Sequence, residues 1–236
     1  MVNEALDAQE RRRLTTRLLL IAGALVLLHL LSLFVGERSW QLERTFDVDL
    51  ESNIPTWFSS GLFALAALAA YGCARASGAS PQRKAWLVLA SALLFMSCDE
   101  VAMLHENLDG VLRRHVFGVS LQSHFPFTSW PVLVGPFLLV GLVWLAWNLR
   151  AGLRGSSRAA RLLILGACIF FAGSAGLELT ANLFVHEASL QWWRAAEIVL
   201  EESLEMLGMI TVLSGLLLHQ QMLQQRTIPA HEVSAS

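Results

Sequence analysis

Residues 195–219 read AAEIVLEESLEMLGMITVLSGLLLH, an apolar run that carries four glutamates in its first half. About 20 helical residues cross a hydrocarbon core of about 30 Å, so this run is long enough to span a membrane. Five further runs of this kind lie at approximately 14–36, 56–76, 84–107, 131–150 and 160–185. The sequence therefore predicts an all-α polytopic membrane helix bundle. Its six transmembrane helices lie within residues 14–219, between an N-terminal segment (1–13) and a polar tail (220–236).

The composition agrees with a membrane protein and excludes several other classes. Charged residues make up 15% of the 236 residues, whereas they form about a quarter of a soluble domain. The formal net charge of -2 gives no reason to expect a nucleic-acid partner. Cys73, Cys98 and Cys168 stand singly, which argues against a disulfide framework and a thiolate metal site. The first apolar run is longer than the core of a signal peptide and no cleavage site follows it, so we expect a retained helix.

Basic residues predict the orientation of the bundle. With a cytoplasmic N-terminus, 12 of the 17 Lys and Arg residues lie in cytoplasmic segments and five in outward-facing ones. Because cytoplasmic loops carry an excess of basic residues, both termini are predicted to be cytoplasmic. Tryptophans near the outer interface fit the aromatic belt of a membrane protein; they are Trp40, Trp57, Trp130, Trp192 and Trp193.

Acidic residues recur at one predicted depth on three of the helices. At about 1.5 Å per residue, Asp99 lies about 22 Å above the inner end of the third helix and Glu178 about 25 Å above the start of the fifth. Glu201 and Glu205 lie about 26 and 20 Å above the inner end of the sixth helix, which runs the opposite way. An ionisable group at mid-membrane costs about 2.5–3.5 kcal/mol. We therefore expect these carboxylates to meet a partner, a cavity or a metal in the outward half of the bilayer.

The helical period of the third run predicts which of its polar residues share a face. Asp99 and Glu106 are seven residues apart and lie on the same face. Glu100 and His105 flank that face on opposite sides, by about 100° and 120°, so a regular helix cannot point both at one centre.

The fifth and sixth runs show the same kind of pattern. Glu178 and Asn182 share a face of the fifth helix, close to the small residues 172–176, which would allow close helix approach. On the sixth helix, one narrow stripe contains Glu197, Glu201 and Glu205, with Glu202 beside it. His29 on the first helix lies just below the acids, at about 18 Å by the same rise per residue. A lone histidine on an apolar helix is more often a hydrogen-bonded packing residue than a metal ligand.

This chemistry suits a divalent metal ion of the Fe, Mn, Zn or Mg type, because carboxylate-rich sites with one or two histidines favour those ions. The residues expected to bind the metal are Asp99, His105, Glu106, Glu178, Glu201 and Glu205. Glu201 and Glu205 are also the expected catalytic carboxylates. The residues expected to support the ligands or contact a substrate are Glu100, Glu202, Asn182 and His29.

Three motifs carry a resemblance to a known group of proteins: NIPTWFSS at 53–60, SxDEx4HE at 97–106 and EExxEMxG at 201–208. Taken together they resemble a group of uncharacterised bacterial multi-pass membrane proteins. The resemblance implies a bacterial inner (cytoplasmic) membrane location and no particular substrate. It also implies that Thr56, Trp57, Ser59 and Ser60 lie near the outer interface beside the acids, as substrate contacts or as supports for the ligands. The His-x3-His metal pair of alkaline-ceramidase-type membrane hydrolases is absent from the sequence.

Three functions are compatible with such a site. The first is a metal-dependent membrane enzyme, a hydrolase or an oxidoreductase, acting on a membrane lipid or on an outer-face substrate. The second is a transporter coupled to protons or divalent cations. The third is a non-catalytic sensor or subunit. The sequence favours the enzyme, because only Thr211 and Ser214 offer polar groups inward of Glu205, too few for a conduit.

Overall fold

The bundle consists of helices of very different lengths. A computed structural model of the chain describes residues 7–35, 40–111, 115, 130–177 and 191–227. The helices are α1 (Ala8–Val35), α2 (Trp40–Phe46), α3 (Ile54–Ala76), α4 (Pro81–Ala102), α5 (Leu104–Val111), α6 (Trp130–Leu153), α7 (Ser157–Phe171) and α8 (Gln191–Thr227). A π-helical segment, Ala172–Leu177, directly continues α7. No β-strand occurs in these ranges.

Six of these helices are long and apolar enough to cross a membrane within the part of the chain that is described: α1, α3, α4, α6, α7 with its π segment, and α8. The protein is therefore an all-α polytopic membrane helix bundle, as predicted. The alanine-rich second run forms α3 over its full length, and α8 continues past residue 219 to Thr227. The first residues of the predicted polar tail are therefore helical.

The third run departs from the prediction of one continuous helix over residues 84–107. Helix α4 ends at Ala102, and Met103 adopts φ 54° and ψ 39° before α5 begins at Leu104. A residue with left-handed dihedral angles turns the chain away from the path of a right-handed helix, so α4 ends there. The prediction that Asp99 and Glu106 share one helical face is therefore wrong, since the chain changes direction between them.

Helix α3 begins where its sequence provides a cap. The side chain of Asn53 accepts a hydrogen bond from the backbone N–H of Thr56 at 3.1 Å, and Pro55 occupies the first turn. The asparagine satisfies one of the N–H groups that a helix start leaves without an internal partner, and proline has no N–H to satisfy. These two features place the start of α3 at Ile54, two residues before the run predicted at 56–76.

Helix α8 forms the centre of the bundle and packs against α1, α3 and α7. A Cβ atom added to Gly208 of α8 would lie 2.6 Å from the backbone nitrogen of Phe170 in α7. A Cβ atom on Gly166 of α7 would lie 2.7 Å from the nitrogen of Val212. Small residues allow such backbone approach, which strengthens packing between membrane helices because lipid offers no hydrophobic force to hold them together.

The helices run alternately in opposite directions, so the bundle has two chemically different ends. One end, which we name the arginine end, lies where α1, α4 and α7 begin and where α3, α6 and α8 end. Its basic residues include Arg11, Arg75, Arg83, Arg154, Arg158 and Arg226. The opposite end, where α3 and α8 begin and α4 ends, holds the acids and is named the carboxylate end.

The contact between α7 and α8 yields the first prediction. Gly208→Ala places a methyl group against the backbone of Phe170, and overpacking of this kind costs about 1–3 kcal/mol. We expect a lower unfolding temperature in detergent, measured by circular dichroism at 222 nm.

The matched control is Gly61→Ala in α3, where an added Cβ meets nothing within 4 Å. It should leave the unfolding temperature unchanged or raise it, because alanine is the better helix former. Equal unfolding temperatures for Gly208→Ala and the unsubstituted protein would contradict the close approach of α7 and α8.

Candidate functional site

Five carboxylates converge at the carboxylate end of the bundle. The carboxylates of Glu100, Glu201, Glu51 and Asp49 lie close enough to that of Glu202 to interact with it electrostatically. We name these five residues the carboxylate cluster. Its members come from three separate parts of the chain: the last turn of α4, the first half of α8 and the segment between α2 and α3. Like charges brought together in this way repel, so the arrangement favours an ion or protons that reduce the repulsion.

Asp99 lies next to the cluster member Glu100 and is buried, with 5% of its surface exposed. Its backbone carbonyl accepts a hydrogen bond from the N–H of Met103 at 2.8 Å, which closes the end of α4. Two residues earlier, Ser97 links α4 to α3: the hydroxyl of Ser60 donates to the Ser97 carbonyl at 2.8 Å. The last turn of α4 is therefore held on both sides, and Asp99 points into the bundle at a defined position.

The π-helical segment after α7 faces the two glutamates expected to be catalytic. A Cβ atom on Gly173 would lie 2.9 Å from the carbonyl oxygen of Glu201 and 3.3 Å from Cγ of Glu205. The neighbouring Ser174 is buried, and its hydroxyl has no hydrogen-bond partner in the described part of the chain. Because π-helical turns inside α-helices frequently occur at functional sites, the observation adds Ser174 to the candidate site.

His29 of α1 connects the helix to the segment that carries Asp49 and Glu51. It is buried, with 4% of its surface exposed. The backbone N–H of Val48 donates to its Nδ1 at 3.3 Å, and a carboxylate oxygen of Asp47 lies 3.4 Å from the same nitrogen. His29 is thus the hydrogen-bonded packing residue that the sequence favoured. Its contacts with Asp47 and Val48 hold the segment that carries Asp49 and Glu51 against α1.

The beginning of α3 supplies structural contacts and an apolar surface. The hydroxyl of Thr56 donates to the Leu50 carbonyl at 3.1 Å, and Thr56 and Ser59 are both buried. Trp57 is 74% exposed, which suits the membrane-facing belt predicted for it. The side chain of Trp57 therefore faces outward from the bundle, whereas Thr56 holds the segment that leads to the acids.

Backbone strain occurs at both edges of the carboxylate cluster. Within the described ranges, Ser52 and Met103 are the non-glycine residues with positive φ, at 63° and 54°. Ser52 directly follows Glu51, and Met103 lies three residues after Glu100. Strained backbone persists where the surrounding structure enforces it, and it concentrates at binding and catalytic sites.

Several of the predicted ligands fall outside the description. Glu178 and Asn182 lie outside the described residues. His105 and Glu106 belong to α5 by their backbone, but their side chains are likewise outside the description. Among the described residues, no group of three His, Cys, Asp or Glu side chains is arranged to hold a metal ion. A metal centre here would therefore need ligands from Glu178, His105 or Glu106 in addition to the acids of α4 and α8.

Sequence reasoning missed Asp49 and Glu51 as members of the site. Both lie between the first two predicted spans, where the spacing of residues within helices carries no information about them. A usable signal was present: the acids 47, 49 and 51 directly precede the Asn53 cap of α3. A short turn joins the end of α3 to the start of α4, so the two helices are antiparallel. The start of α3 therefore lies beside the end of α4.

The fold and the site together define a class: an integral, multi-pass membrane protein with an acidic site at one end of its helix bundle. The chain belongs to the family described as Domain of unknown function (DUF8692), whose model matches residues 16–220. That match includes four of the six spans in full and most of the first and the last. Comparisons with curated proteins and with solved structures found no match.

The Asn53 cap yields the second prediction. Its amide also donates to the carbonyls of Asp47 and Arg44, so the side chain fixes the segment that carries Asp49 and Glu51. Asn53→Ala should lower the free energy of unfolding by about 1 kcal/mol, the usual cost of losing an N-cap. Thermal unfolding in detergent measures the change.

Asn148→Ala provides the control, because the amide of Asn148 donates to the Trp144 carbonyl one turn earlier in its own helix, a bond that caps no helix start. We expect it to have little effect. If the two substitutions destabilise the protein equally, the capping role of Asn53 is refuted.

Proposed function

We propose that this protein is a metal-dependent membrane enzyme of the bacterial inner membrane, with both termini in the cytoplasm and its site facing outward. The observation that carries the proposal is the carboxylate cluster, in which four acids from three parts of the chain lie close enough to Glu202 to interact with it electrostatically. Gathering so many like charges at one end of the bundle is costly, because they repel one another. A bound divalent ion of the Fe, Mn, Zn or Mg type would offset that cost and is the species that such oxygen-rich groups prefer.

Some of these residues would bind the ion, and others would transfer protons or contact the substrate. Asp99, Glu178, His105 and Glu106 would join the acids of α8 in holding the ion. A divalent ion supplies Lewis-acid activation when bound. Glu201 and Glu205 would move protons as general base and acid, since both lie against the π segment at Gly173. The buried hydroxyl of Ser174 would donate a hydrogen bond to the substrate.

A membrane lipid is the favoured substrate class. Leu50, Ile54 and Trp57 are large apolar residues with 43%, 43% and 74% of their surface exposed. They flank Glu51 in sequence, so an apolar surface adjoins the acids at the expected level of the lipid headgroups. A lipid could therefore keep its acyl chains in the bilayer while its polar group reaches the cluster.

The interior of the bundle argues against a conduit for ions. From Glu205 toward the arginine end, the buried face of α8 is formed by Met206, Met209, Ile210, Leu213 and Leu216. These apolar side chains pack against α3 and α7, so no polar path leads from the cluster along this face. An acidic site open at one end suits an enzyme better than a transporter.

Metal analysis of the full-length protein in detergent gives the third prediction. The unsubstituted protein should carry close to one divalent ion per chain by inductively coupled plasma mass spectrometry. Glu178→Gln, Glu202→Gln and Glu205→Gln should each weaken binding of added Mn²⁺ about tenfold or more, because each removes a charge from the ion's surroundings.

Glu10→Gln is the matched control, since Glu10 lies at the arginine end, where its carboxylate accepts a hydrogen bond from the backbone N–H of Asp7. It should bind Mn²⁺ as tightly as the unsubstituted protein. The metal proposal is wrong if the unsubstituted protein holds no stoichiometric metal and none of the three glutamate variants changes the affinity for Mn²⁺.

Flux measurements distinguish the enzyme from a transporter in the fourth prediction. Proteoliposomes containing the unsubstituted protein should show no more Mn²⁺ or proton flux than protein-free liposomes, because the apolar face of α8 blocks the path. Entrapped Mn²⁺-sensitive and pH-sensitive dyes report the two fluxes. Rapid flux that Asp99→Asn abolishes would establish a transporter in place of the enzyme.

A further inference from the structure

A second polar site lies at the arginine end, on the opposite side of the bundle from the carboxylate cluster. A pocket of about 220 Å³ opens there between the turn that joins α3 to α4, the end of α6 and the last third of α8. Its polar lining includes Ser77, Ser80, Gln82 and His219, beside the ring of Trp86. We refer to it as the His219 pocket. None of the residues in the carboxylate cluster contributes to it.

His219 is held in one orientation and has unused bonding capacity. Only 1% of its surface is exposed, and its ring stacks at a tilt on Trp86 with the ring centroids 5.1 Å apart. Its Nδ1 lies 3.1 Å from the hydroxyl of Ser156. The other ring nitrogen, Nε2, is buried and has no hydrogen-bond partner in the described part of the chain.

The direction of the hydrogen bond with Ser156 sets which ring nitrogen of His219 carries the proton. Ser156 is the N-cap residue of α7, but its hydroxyl makes no capping bond to that helix. If the hydroxyl donates to Nδ1, the neutral imidazole carries its hydrogen on Nε2. The nitrogen that lacks a partner is then a donor.

A second donor without a partner lies in the same pocket. Ser80 is the N-cap residue of α4, makes no capping bond, and has a buried hydroxyl without a hydrogen-bond partner among the described residues. Leaving a buried polar group unsatisfied costs about 1–3 kcal/mol. Two such groups on one pocket wall indicate a ligand that accepts hydrogen bonds from both.

The electrostatic setting favours an anion. Helix α4 is 22 residues long and begins at the pocket, so the positive end of its dipole lies there. The guanidinium of Arg226 donates to the Gly155 carbonyl at 3.3 Å and interacts electrostatically with His219. Arg11 and Arg158 lie near each other at the same end. A neutral ligand would draw no benefit from these charges.

We propose that the His219 pocket binds a phosphate group, with His219 Nε2–H and the Ser80 hydroxyl as donors and Arg226 as the neighbouring charge. A phosphate oxygen accepts hydrogen bonds and is stabilised at helix N-termini. The phosphate comes either from inorganic phosphate in solution or from the headgroup of an anionic phospholipid, and both present the same acceptor oxygens.

The test uses the full chain with two probes. Inorganic phosphate is titrated into the detergent-purified protein by isothermal titration calorimetry, with chloride at equal ionic strength as the reference. Separately, the protein is placed in nanodiscs of phosphatidylcholine with or without phosphatidic acid, and its unfolding temperature is compared. Binding of inorganic phosphate identifies the soluble source, and stabilisation by phosphatidic acid alone identifies the lipid headgroup. Either result supports the proposal.

Two variants remove the donors individually. His219→Phe keeps a ring against Trp86 but deletes Nε2, and Ser80→Ala deletes the buried hydroxyl. Each should weaken phosphate binding about tenfold, or abolish the stabilisation by phosphatidic acid, because each removes a hydrogen bond to a charged acceptor. Ser80→Ala is a minimal change at a helix start, so it keeps the test valid if His219→Phe does not fold.

Two controls separate this site from the carboxylate cluster. Ser91→Ala makes the same change as Ser80→Ala, but on an exposed face of α4, and it should bind phosphate normally. Glu202→Gln should do so as well, because it lies at the other end of the bundle. The proposal is overturned if neither probe binds the unsubstituted protein, or if Ser80→Ala binds both probes as the unsubstituted protein does.

Discussion

The close packing of α7 against α8 is the contact on which the rest of the structure depends. Gly166 and Gly208 bring the two backbones together, and Gly173 continues the contact up to Glu201 and Glu205. In a membrane, helix association relies on such van der Waals packing, because the lipid is as apolar as the helix surface. Since α8 also packs against α1 and α3, its position relative to α7 sets the position of nearly every described functional residue.

The bundle places opposite chemistry at its two ends, and α8 contributes to both. Near its start, Glu201 and Glu202 join acids from α4 and from the segment before α3. Near its end, His219 lines a pocket in basic surroundings. Between them, the buried apolar residues of α8 separate the two sites. One helix therefore carries acids of the cluster near its start and lines the proposed anion-binding pocket near its end, with an apolar stretch between them.

The helices themselves could be predicted because the bilayer imposes a length and a composition on each span. The predicted runs fail where the backbone leaves the regular helix, at Met103 and in the π segment 172–177. Neither change leaves a mark in hydropathy, because Met103 and the small residues around Gly173 are compatible with a continuous apolar helix. Both irregularities lie beside the acids, where predictions of shared faces matter most.

The sequence by itself determined the membrane class, the six spans found in the described part of the chain, and the presence of acids near the end of α4 and the start of α8. Tertiary structure alone decided that Asp49 and Glu51 join them and that His219 lies in a second pocket. The physical reason is the range over which each constraint acts. Hydropathy and helical period act within about 20 residues of one helix, whereas the cluster and the pocket join residues that are distant in sequence and meet only when helices pack.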